Sequence, residues 1–319
     1  MKVLITGATG LVGNAIVKKL HAKGIQVNYL TTRKNKIVIK EDYQGYHWSP
    51  EKFEIDNNCF VDVSTIINLA GATISKRWTE SHKNEVLNSR VNSLKTLKKG
   101  LKQRNFSQIE SFVSASAVGI YPTSLSTLYT EDEDQIDDSF LGNVVKVWED
   151  EIDSFNDFGF KVSKIRIGLV LSKEGGALPK MAKPIKNYVG SAFGAGEQWQ
   201  SWIHIEDLAR MFLFVSLNQL SGTFNGVAPN PVTNSKMTIE LAKTLRRPLI
   251  LPNVPEFVMK FLLGEMAYLL FASQRVSSKR IEKKGFQFHH LNICKALEAI
   301  YHKNSDTQTR VSDYSKEFA

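Results

Sequence analysis

The chain begins with a short apolar run and, directly after it, three glycines at three-residue spacing. Lys2-Val3-Leu4-Ile5-Thr6 has the composition of a buried strand, and Gly7-Ala8-Thr9-Gly10-Leu11-Val12-Gly13 follows at once. From Leu11 onward apolar residues recur every three or four positions, which predicts a helix over 11–23 that Gly24 ends. A strand, a glycine loop and a helix in this order are typical of the first unit of a parallel α/β sheet.

Each glycine of this loop has its own physical reason. Gly7 permits a tight turn, Gly10 allows the backbone to approach a diphosphate, and Gly13 lets the helix pack closely on the strand. Main-chain N–H groups and the positive end of the helix dipole then face the phosphates. The pattern predicts a dinucleotide site formed by Gly7, Thr9, Gly10, Leu11, Val12 and Gly13. A glycine-rich turn that binds no ligand is the alternative.

The second predicted strand, Ile25 to Leu30, bears on which dinucleotide is bound. An NAD site expects an Asp or Glu about 20 residues after the glycine loop, to accept hydrogen bonds from the ribose. Here the strand runs into Thr31-Thr32-Arg33-Lys34, and the first acidic residue is Glu41. Because Arg33 can pair with a 2′-phosphate and Thr32 can donate to it, we expect NADP(H) in preference to NAD(H). The alternative is that Arg33 and Lys34 form a solvated basic turn.

Short apolar runs alternate with segments of helical period through the first two thirds of the chain, which predicts an α/β, Rossmann-like, doubly wound parallel sheet. Further strands are predicted over 65–69, 110–114 and 161–166, and further helices over 79–102, 143–158 and 202–217. Prolines and helical patterns after Val227 indicate a smaller, mainly helical domain. The predicted division is a dinucleotide-binding domain over 1–226, a C-terminal cap over 227–303 and a polar tail over 304–319.

Composition bounds the partners and the location. The formal net charge is +9, which suits nucleic acid or an anionic membrane as well as a phosphorylated cofactor, but the basic residues fall in short, scattered runs. No stripe of basic and aromatic residues suggests nucleic-acid binding. The two cysteines, Cys59 and Cys294, form no metal-binding pattern and indicate a reducing compartment. Three apolar residues after Lys2 are too few for a secretory leader. The apolar stretch 257–272 is interpreted as a buried helix or an oligomer interface rather than a membrane contact. These observations predict a cytoplasmic protein.

Several further segments carry a family resemblance. They are Asn68-Leu69-Ala70-Gly71, Ser114-Ala115-Ser116-Ala117-Val118-Gly119-Ile120-Tyr121, Lys76-Arg77-Trp78-Thr79-Glu80, Asn88-Ser89-Arg90-Val91, Gly196-Glu197-Gln198-Trp199-Gln200-Ser201-Trp202-Ile203-His204, Leu263-Gly264-Glu265-Met266-Ala267, Ser273-Gln274-Arg275-Val276 and Lys284-Gly285-Phe286. The chain thereby resembles the extended short-chain dehydrogenases/reductases, and within them the atypical, epimerase-like family that includes the human family-39U member. The likeness extends to about Leu297. It implies a Rossmann-like NADP-binding domain with a small C-terminal domain, and it implies no known substrate.

The resemblance also extends the cofactor set. It adds the cofactor-binding candidates Asn68, Leu69, Ala70, Gly71, Arg90, Ser114, Ser116 and Lys146. In this superfamily a Tyr-x-x-x-Lys pair works with an upstream Ser, and the Tyr exchanges the proton. Lys146 lies in the expected helix, but Gly142 stands four residues earlier, and a one-residue slip offers Leu141 and Val145. The usual tyrosine is missing.

Four residues are candidates for the missing chemistry. Ser116 takes roughly the place of the family Ser, Tyr121 could protonate a carbonyl oxygen, Lys146 could hold the ribose, and His204 could donate a hydrogen bond. The resemblance places Arg77, Trp78, Tyr121, Trp199, Trp202 and His204 around the substrate cleft. The alternatives remain open: Tyr121 packs near the nicotinamide, Lys146 is a solvated helix lysine, the tryptophans belong to the core, and His204 is structural.

These residues support more than one function. The leading hypothesis is an NADP(H)-dependent oxidoreductase that acts on a small carbonyl or alcohol, with hydride transfer at the nicotinamide. A nucleotide-sugar epimerase or dehydratase is the alternative within enzymes, and a non-catalytic NADP(H)-binding sensor is the alternative outside them. No metal site, nucleic-acid partner or membrane partner is expected. The resemblance adds a homodimer as an open alternative, because the helix corresponding to 144–152 often forms the dimer interface in the superfamily.

Overall fold

The computed structural model describes residues 1–103 and 108–302, and its centre is a parallel sheet built around the first strand. The strands are β1 (Lys2–Thr6), β2 (Gln26–Thr31), β3 (Tyr43–Ser49), β4 (Glu54–Ile55), β5 (Thr65–Asn68), β6 (Ser111–Ala117), β7 (Leu128–Tyr129), β8 (Lys161–Ile167), β9 (Leu169–Leu171), β10 (Trp199–Gln200), β11 (Trp202–His204), β12 (Gly222–Gly226), β13 (Val232–Thr233) and β14 (Arg275–Val276).

Eight strands form the main sheet in the order β12-β8-β6-β5-β1-β2-β3-β4. All neighbours are parallel except β3 and β4, which pair in opposite directions. The chain builds outward from β1 through β2 to one edge and then returns to β5 on the other side. The order therefore reverses between β1 and β5, and in open α/β sheets ligands bind at the carboxyl ends of the strands at such a point.

Ten helices lie between or after these strands in the described part of the chain. They are α1 (Leu11–His21), α2 (Glu80–Lys102), α3 (Phe140–Asp153), α4 (Leu178–Lys186), α5 (Ile205–Leu217), α6 (Asn234–Thr244), α7 (Glu256–Leu263), α8 (Tyr268–Phe271), α9 (Lys279–Lys283) and α10 (Ile293–His302). Helix α1 packs against α5, and α2 packs against α3. The chain thus has the Rossmann-like α/β architecture that the alternating pattern predicts, with a mainly helical C-terminal region.

Short strand pairs tie the later parts of the chain to the sheet. β9 pairs with β11, β10 with β13, and β7 with β14. A second apolar cluster around Trp202, Leu178, Met237 and Ile293 joins α4, α6 and α10. The predicted division at residue 226 coincides with the end of β12 and stays a prediction. The predicted tail over 304–319 lies outside the described residues.

Helix α1 approaches β1 closely because of one glycine. A Cβ atom placed on Gly13 would lie 2.2 Å from the carbonyl oxygen of Gly7 and 2.7 Å from the Cα of Ala8. Gly7 itself has φ of +71°, a left-handed conformation that a glycine adopts without strain. Because Gly13 carries no side chain, α1 can lie this close to β1.

Two sequence predictions are wrong in detail, and one strand was not predicted. The helix predicted over 202–217 starts at Ile205, because Trp202–His204 forms β11 beside β9. The helix predicted from residue 143 starts at Phe140, where Ser139 caps it by accepting a hydrogen bond from the Gly142 N–H. The sequence analysis also missed β3, since this strand has no clean alternation of polar and apolar residues.

The apolar stretch over 257–272 was predicted to be a buried helix or an oligomer interface; it is not a buried helix, and the oligomer interface stays a prediction. It folds as α7, a 3₁₀ turn over Gly264–Ala267 and α8. Phe257 and Phe261 are 73% and 86% exposed. Within the described part of the chain, no helix combines the length and the apolar content needed to cross a bilayer.

We expect Gly13→Ala to lower the free energy of unfolding by about 2–3 kcal/mol, because the new methyl group must push the Gly7 carbonyl and α1 apart. The measurement is urea unfolding followed by circular dichroism. Gly175→Ala is the matched control, since its Cβ would lie 3.6 Å from Leu11, an ordinary contact. A Gly13→Ala protein as stable as the control would contradict this account of the packing.

Candidate functional site

The N-terminus of α1 points its free N–H groups at the carboxyl edge of the sheet. Gly10 caps the helix without a side chain, and the first turn contains no acidic residue. The N–H groups of the first turn therefore have no side-chain acceptor from the cap, which leaves them available to an anion. The positive end of the helix dipole adds to this preference. The loop fits a diphosphate both in shape and in charge.

The end of β2 presents a basic, hydroxyl-bearing surface next to this loop. Thr32 and Arg33 are exposed, and Thr31 Oγ1 accepts a hydrogen bond from the Arg33 N–H at 3.2 Å. The chain between β2 and Lys40 contains no acidic residue. An acidic side chain here would repel a 2′-phosphate, whereas an exposed guanidinium attracts one. The sequence-predicted Thr32 and Arg33 thus lie exposed after β2, the strand that pairs with β1.

Side chains from three strands are joined at the point where the strand order reverses. Thr6 Oγ1 donates to Asn68 Oδ1 at 2.7 Å and accepts from the N–H groups of Leu69 and Ala70. Asn68 Nδ2 in turn donates to Ser114 Oγ at 2.9 Å. Asn68 and Ser114 are fully buried, so their side chains hold the strands rather than reach a ligand. Asn68 and Ser114 are therefore predicted cofactor-binding residues whose side chains lie inside the sheet.

Arg90 is a buried cation beside the loop that follows β5. Its guanidinium donates to the carbonyl oxygens of Ala72 and Val86, at 3.2 and 2.8 Å, and lies 5.0 Å from the centre of the Trp148 ring. A Cβ on Gly71 would come within 3.1 Å of Arg90 Cζ. Burial lowers the pKa of Arg90 to about 10, since it disfavours the charged form of the guanidinium. A buried guanidinium bound only to carbonyl oxygens is well suited to bind an anion.

A cavity of about 230 Å³ opens beside Arg90, beyond the carboxyl ends of β6 and β8. Its walls come from the loop after β5, from α3, from β10 and from the C-terminal segment around α8. Most of the lining is apolar or aromatic: Ile74, Ala117, Val118, Gly119, Leu141, Val144, Val145, Trp148, Ile167, Gly168, Leu169, Trp199, Tyr268, Leu269 and Ala272. The polar residues of the lining are Arg90, Gln200, Ser201 and Gln274.

The orientation of α3 shows which residues at the positions of the Tyr-x-x-x-Lys motif face the cavity. Leu141 and Val145, four residues apart, both line it, whereas Lys146 does not. The Lys146 side chain is 46% exposed and pairs with Asp150 one turn along the helix. Trp148 and Glu149 are buried instead, so the helix turns Lys146 outward. Lys146 is the solvated helix lysine of the alternative, and two apolar residues occupy the motif's inward register.

Ser116 and Tyr121 belong to a buried polar network beneath the cavity rather than to its wall. Ser116 Oγ donates to Glu149, and Arg166 forms two hydrogen bonds to the same carboxylate, each 2.9 Å long. Tyr121 Oη accepts from Arg166 at 2.9 Å and donates to Asn225 Oδ1 at 2.7 Å. The side chains of Ser116 and Tyr121 are at most 2% exposed, so Tyr121 is not positioned to contact a substrate in the cavity.

Charge in this network is held by its partners. Burial alone would raise the pKa of Glu149, but hydrogen bonds from Arg166 and Ser116 hold it below its ordinary value. Burial raises the pKa of Tyr121, so its phenol keeps its proton. The network therefore contains a permanent ion pair and a neutral tyrosine, and no member is poised to exchange a proton with a ligand.

The remaining cleft candidates separate in the structure. Trp199 lines the cavity, and its Nε1 donates to the Leu125 carbonyl. Trp202 is fully buried in the second apolar cluster, and Trp78 is buried against Phe140. Arg77 is exposed and does not line the cavity. Neither tryptophan of the core, nor Arg77, is positioned to contact a ligand in the cavity.

His204 also lies away from the cavity, as the cap of α5. Its Nδ1 accepts from the Glu206 N–H at 3.1 Å, and its ring stacks on His290 with centroids 3.7 Å apart. Ligand atoms of His204, Glu206 and His290 lie within 4.8 Å of one another. Lys19 pairs with Glu206 Oε1 at 2.6 Å, and His290 Nε2 lies 3.5 Å from Glu206 Oε2, so both oxygens of this carboxylate already have partners within the protein. The geometry supports the structural alternative for His204.

Of the lining residues, the sequence analysis named only Arg90 and Trp199 as site candidates; among those that it missed are Trp148, Gln200, Tyr268 and Gln274. The C-terminal pair reaches the cavity because β14 pairs with β7 and because Gln200 bridges to Gln274. These pairings join residues more than 70 positions apart, so no local sequence pattern predicts them. Trp148 carried a signal, since its position in α3 is one turn beyond Val144 and Val145.

Curated relatives match almost the whole chain. The Epimerase family protein of Staphylococcus epidermidis strain RP62A is 36% identical over 298 residues, which cover 93% of this chain and 98% of that protein. The Epimerase family protein of Staphylococcus aureus strain N315 is 37% identical with the same coverage. A model described as a domain of unknown function (DUF1731) matches residues 254–300, the region that contains α7 to α10.

Two solved structures with a similar fold are also described as an epimerase or an epimerase family protein. The human epimerase family protein SDR39U1 (isoform 2), crystallised with NADPH, has a TM-score of 0.81 at 28% identity, over 95% of this chain and 99% of that chain. A nucleoside-diphosphate sugar epimerase from Corynebacterium glutamicum has a TM-score of 0.76 at 29% identity, over 99% of this chain and 61% of that chain. The model of the NAD dependent epimerase/dehydratase family matches residues 3–225, from β1 into β12. The chain belongs to the NAD-dependent epimerase/dehydratase family.

Proposed function

We propose that the protein binds NADP(H) along the carboxyl edge of its sheet and uses it to interconvert a small carbonyl compound and its alcohol. The observation that carries this proposal is the apolar cavity beside Arg90, which continues the line from the glycine loop through the loop after β5. A dinucleotide laid along that line would bring its reactive end to the cavity. The human relative crystallised with NADPH supports the choice of nucleotide.

The residues present fit each part of the nucleotide. The N-terminus of α1 suits the diphosphate, Arg33 and Thr32 suit a 2′-phosphate, and Arg90 provides a second cation where the loop after β5 meets the cavity. Bound NADPH supplies a hydride to the substrate carbon. The protein's part is to hold the two reactants together and to keep water out of an apolar chamber.

A carbonyl reduction also needs a proton, and this chain lacks the tyrosine of the Tyr-x-x-x-Lys pair that usually donates it in the superfamily. Tyr268 lines the cavity, and its hydroxyl donates to Asp137 Oδ2 at 2.8 Å and contacts Thr123 Oγ1 at 3.1 Å. Burial raises the pKa of Tyr268, so the phenol stays protonated; its hydroxyl hydrogen reaches a carbonyl oxygen in the cavity only by turning away from Asp137. It is a weak acid, because no lysine stabilises its anion, and we expect slow turnover.

Leu141 and Val145 favour a second candidate, a non-catalytic NADP(H) sensor. The inward-facing register of α3 contains no ionisable group, so this chain lacks the machinery that activates a carbonyl in the wider superfamily. In this version of the proposal, nucleotide binding alone is the function, and the C-terminal wall of the cavity responds to it. Turnover separates the two candidates.

A nucleotide-sugar epimerase is less well supported by the cavity. The Corynebacterium relative is named as such an epimerase. A sugar carries many hydroxyl groups, and walls made mainly of aliphatic and aromatic carbon would leave them without partners. We therefore prefer a small, mostly apolar substrate.

Cys59 and Cys294 are free thiols, which supports a reducing compartment such as the cytoplasm.

The deciding experiment measures NADPH binding by calorimetry and NADPH oxidation by absorbance against a panel of small aldehydes and ketones. Oxidation that depends on both the protein and a particular carbonyl would support the oxidoreductase. Tight NADPH binding without oxidation across the panel would support the sensor. Absence of NADPH binding would defeat both.

Arg33→Gln should weaken NADPH binding about tenfold or more and leave NADH binding within about twofold, because only NADPH has the 2′-phosphate that a guanidinium binds. Lys40→Gln is the matched control, since it removes one exposed positive charge from the same region. Dissociation constants for both nucleotides, measured at one ionic strength, provide the comparison. Equal losses for NADPH and NADH would place Arg33 away from the 2′-phosphate.

Arg90→Met should weaken NADPH and NADH alike, by about tenfold or more, because the diphosphate and ribose are common to both nucleotides. Arg247→Met, at an exposed arginine beside Tyr188, serves as the control for loss of charge. The thermal midpoint of each variant, measured without nucleotide, separates lost binding from lost folding. Unchanged nucleotide affinity in a folded Arg90→Met protein would remove Arg90 from the cofactor site.

A further inference from the structure

A group of large apolar side chains is exposed in three short stretches of the chain, and none of them lines the cavity beside Arg90. Their exposed fractions range from 48% at Tyr188 to 86% at Phe261. Scattered apolar residues on a surface need no explanation, but a group of them marks a surface that contacts something else. The group consists of Tyr188 and Val189 after α4, Ile250 and Leu251 before α7, and Phe257, Phe261 and Leu262 within α7.

The three stretches are neighbours on the protein surface. Ser191, which follows the first stretch, donates a hydrogen bond from its Oγ to the Pro252 carbonyl oxygen at 2.6 Å, at the end of the second stretch. Helix α7 begins four residues later, at Glu256. Phe257 and Phe261 are one turn apart on the same side of this helix. We call the exposed side chains of the three stretches the apolar patch.

The chain around the apolar patch is rich in unpaired positive charge. Residues 175–196 and 241–255 contain no acidic residue. Among the described residues, Glu240 is the carboxylate that pairs with one of the cations here, Lys243. Arg247 lies 5.2 Å from the centre of the Tyr188 ring, so a cation directly adjoins the patch. The cations of the two segments, all exposed, are Lys180, Lys183, Lys186, Lys243, Arg246 and Arg247.

The acidic residues of α7 and the turn after it have partners of their own. Glu256 pairs with Lys260 at 2.8 Å, one turn along the helix. Glu265 pairs with Lys83 of α2 at 2.6 Å. Because these carboxylates are balanced locally, the unpaired cations set the sign of the electrostatic potential near the patch. The patch therefore attracts an anionic partner.

Charge and exposure together favour a lipid surface over a second copy of this chain. A symmetric dimer through the patch would bring the same cations of both copies to one interface, where like charges repel. A bilayer with anionic phospholipid attracts Lys and Arg, while Phe, Tyr, Leu and Ile enter the boundary between headgroups and acyl chains. A side chain as exposed as Phe261 projects from the surface instead of lining a groove, which suits insertion into a fluid layer.

We propose that the apolar patch and the cations around it bind the surface of a bilayer that contains anionic phospholipid, with Phe261 inserted and Arg246 and Arg247 beside the phosphates. This inference goes beyond the proposed function and does not depend on it. It replaces the expectation of no membrane partner, because the sequence does not show that these apolar side chains are exposed. The oligomer interface predicted for 257–272 becomes an outcome of the test.

The test measures binding of the full-length protein to vesicles by flotation. One set of vesicles contains phosphatidylcholine alone, and the other contains equal parts of phosphatidylcholine and phosphatidylglycerol. The variants are Phe261→Ser and the double variant Lys183→Gln/Arg246→Gln. Their matched controls lie outside the patch: Ile39→Ser, at an apolar residue that is 76% exposed, and Lys95→Gln/Lys102→Gln, at two exposed lysines of α2.

We expect the wild type to bind the anionic vesicles about tenfold or more tighter than the neutral ones, with affinity that falls as salt is added. Phe261→Ser should weaken binding to anionic vesicles about tenfold, because an apolar side chain no longer leaves water. Lys183→Gln/Arg246→Gln should weaken it about tenfold or more, through lost attraction to the headgroups. Both controls should stay within about twofold of the wild type.

Phe261→Trp locates the contact, since it keeps a large apolar side chain and should retain binding. On anionic vesicles that contain brominated lipid, its fluorescence should be quenched more than that of the wild type, whose five tryptophans are buried or half-buried. Quenching no greater than in the wild type would overturn the insertion of this side chain.

Equal binding of the wild type to neutral and anionic vesicles, or no binding to either, would overturn the proposal. So would unchanged affinity of Phe261→Ser, with its thermal midpoint showing that it is folded. Sedimentation equilibrium without lipid tests the second copy. A wild-type dimer that Phe261→Ser dissociates would assign the patch to an oligomer interface and overturn the lipid surface.

Discussion

The hydroxyl of Thr6 holds together the place on which the rest of the molecule depends. It bonds to Asn68 at the end of β5 and receives the N–H groups of the next two residues, while Asn68 reaches on to Ser114 in β6. Three strands are thereby fixed in register at their carboxyl ends. Because all these groups are buried, each must find its partner within the protein, and only one alignment of the strands satisfies them.

That alignment determines where a ligand can bind. It places the glycine loop, the loop after β5 and the end of β6 along one edge, and it directs Arg90 toward the gap between them. The close approach of α1 to β1 at Gly13 brings the free N–H groups of the helix to the same edge. The site is built from backbone groups and one buried cation, which explains why it suits phosphates and requires few special side chains.

Beneath the cavity, the Glu149–Arg166 pair takes over residues that the superfamily pattern would lead one to assign to catalysis. Ser116 and Tyr121 are both engaged in this network, and α3 presents Leu141 and Val145 where a tyrosine and a lysine would be expected. A buried ion pair is costly to break because either partner alone would be an unpaired charge. The network thus holds Ser116 and Tyr121 beneath the cavity, and the cavity wall itself is formed by residues of other segments, such as Trp199 and Tyr268.

The amino-acid sequence by itself determined the family architecture and the first half of the site. Strand, glycine loop and helix are neighbours in the chain, so their spacing records their geometry directly, and the basic residues after β2 follow from the same local order. The sequence could not show which way Lys146 and Tyr121 point, because one residue of helical register or one buried partner reverses the answer. It also could not show the far wall of the cavity. Gln200, Gln274 and Tyr268 meet Trp148 only through strand pairings between distant segments, and those pairings are a property of the folded chain.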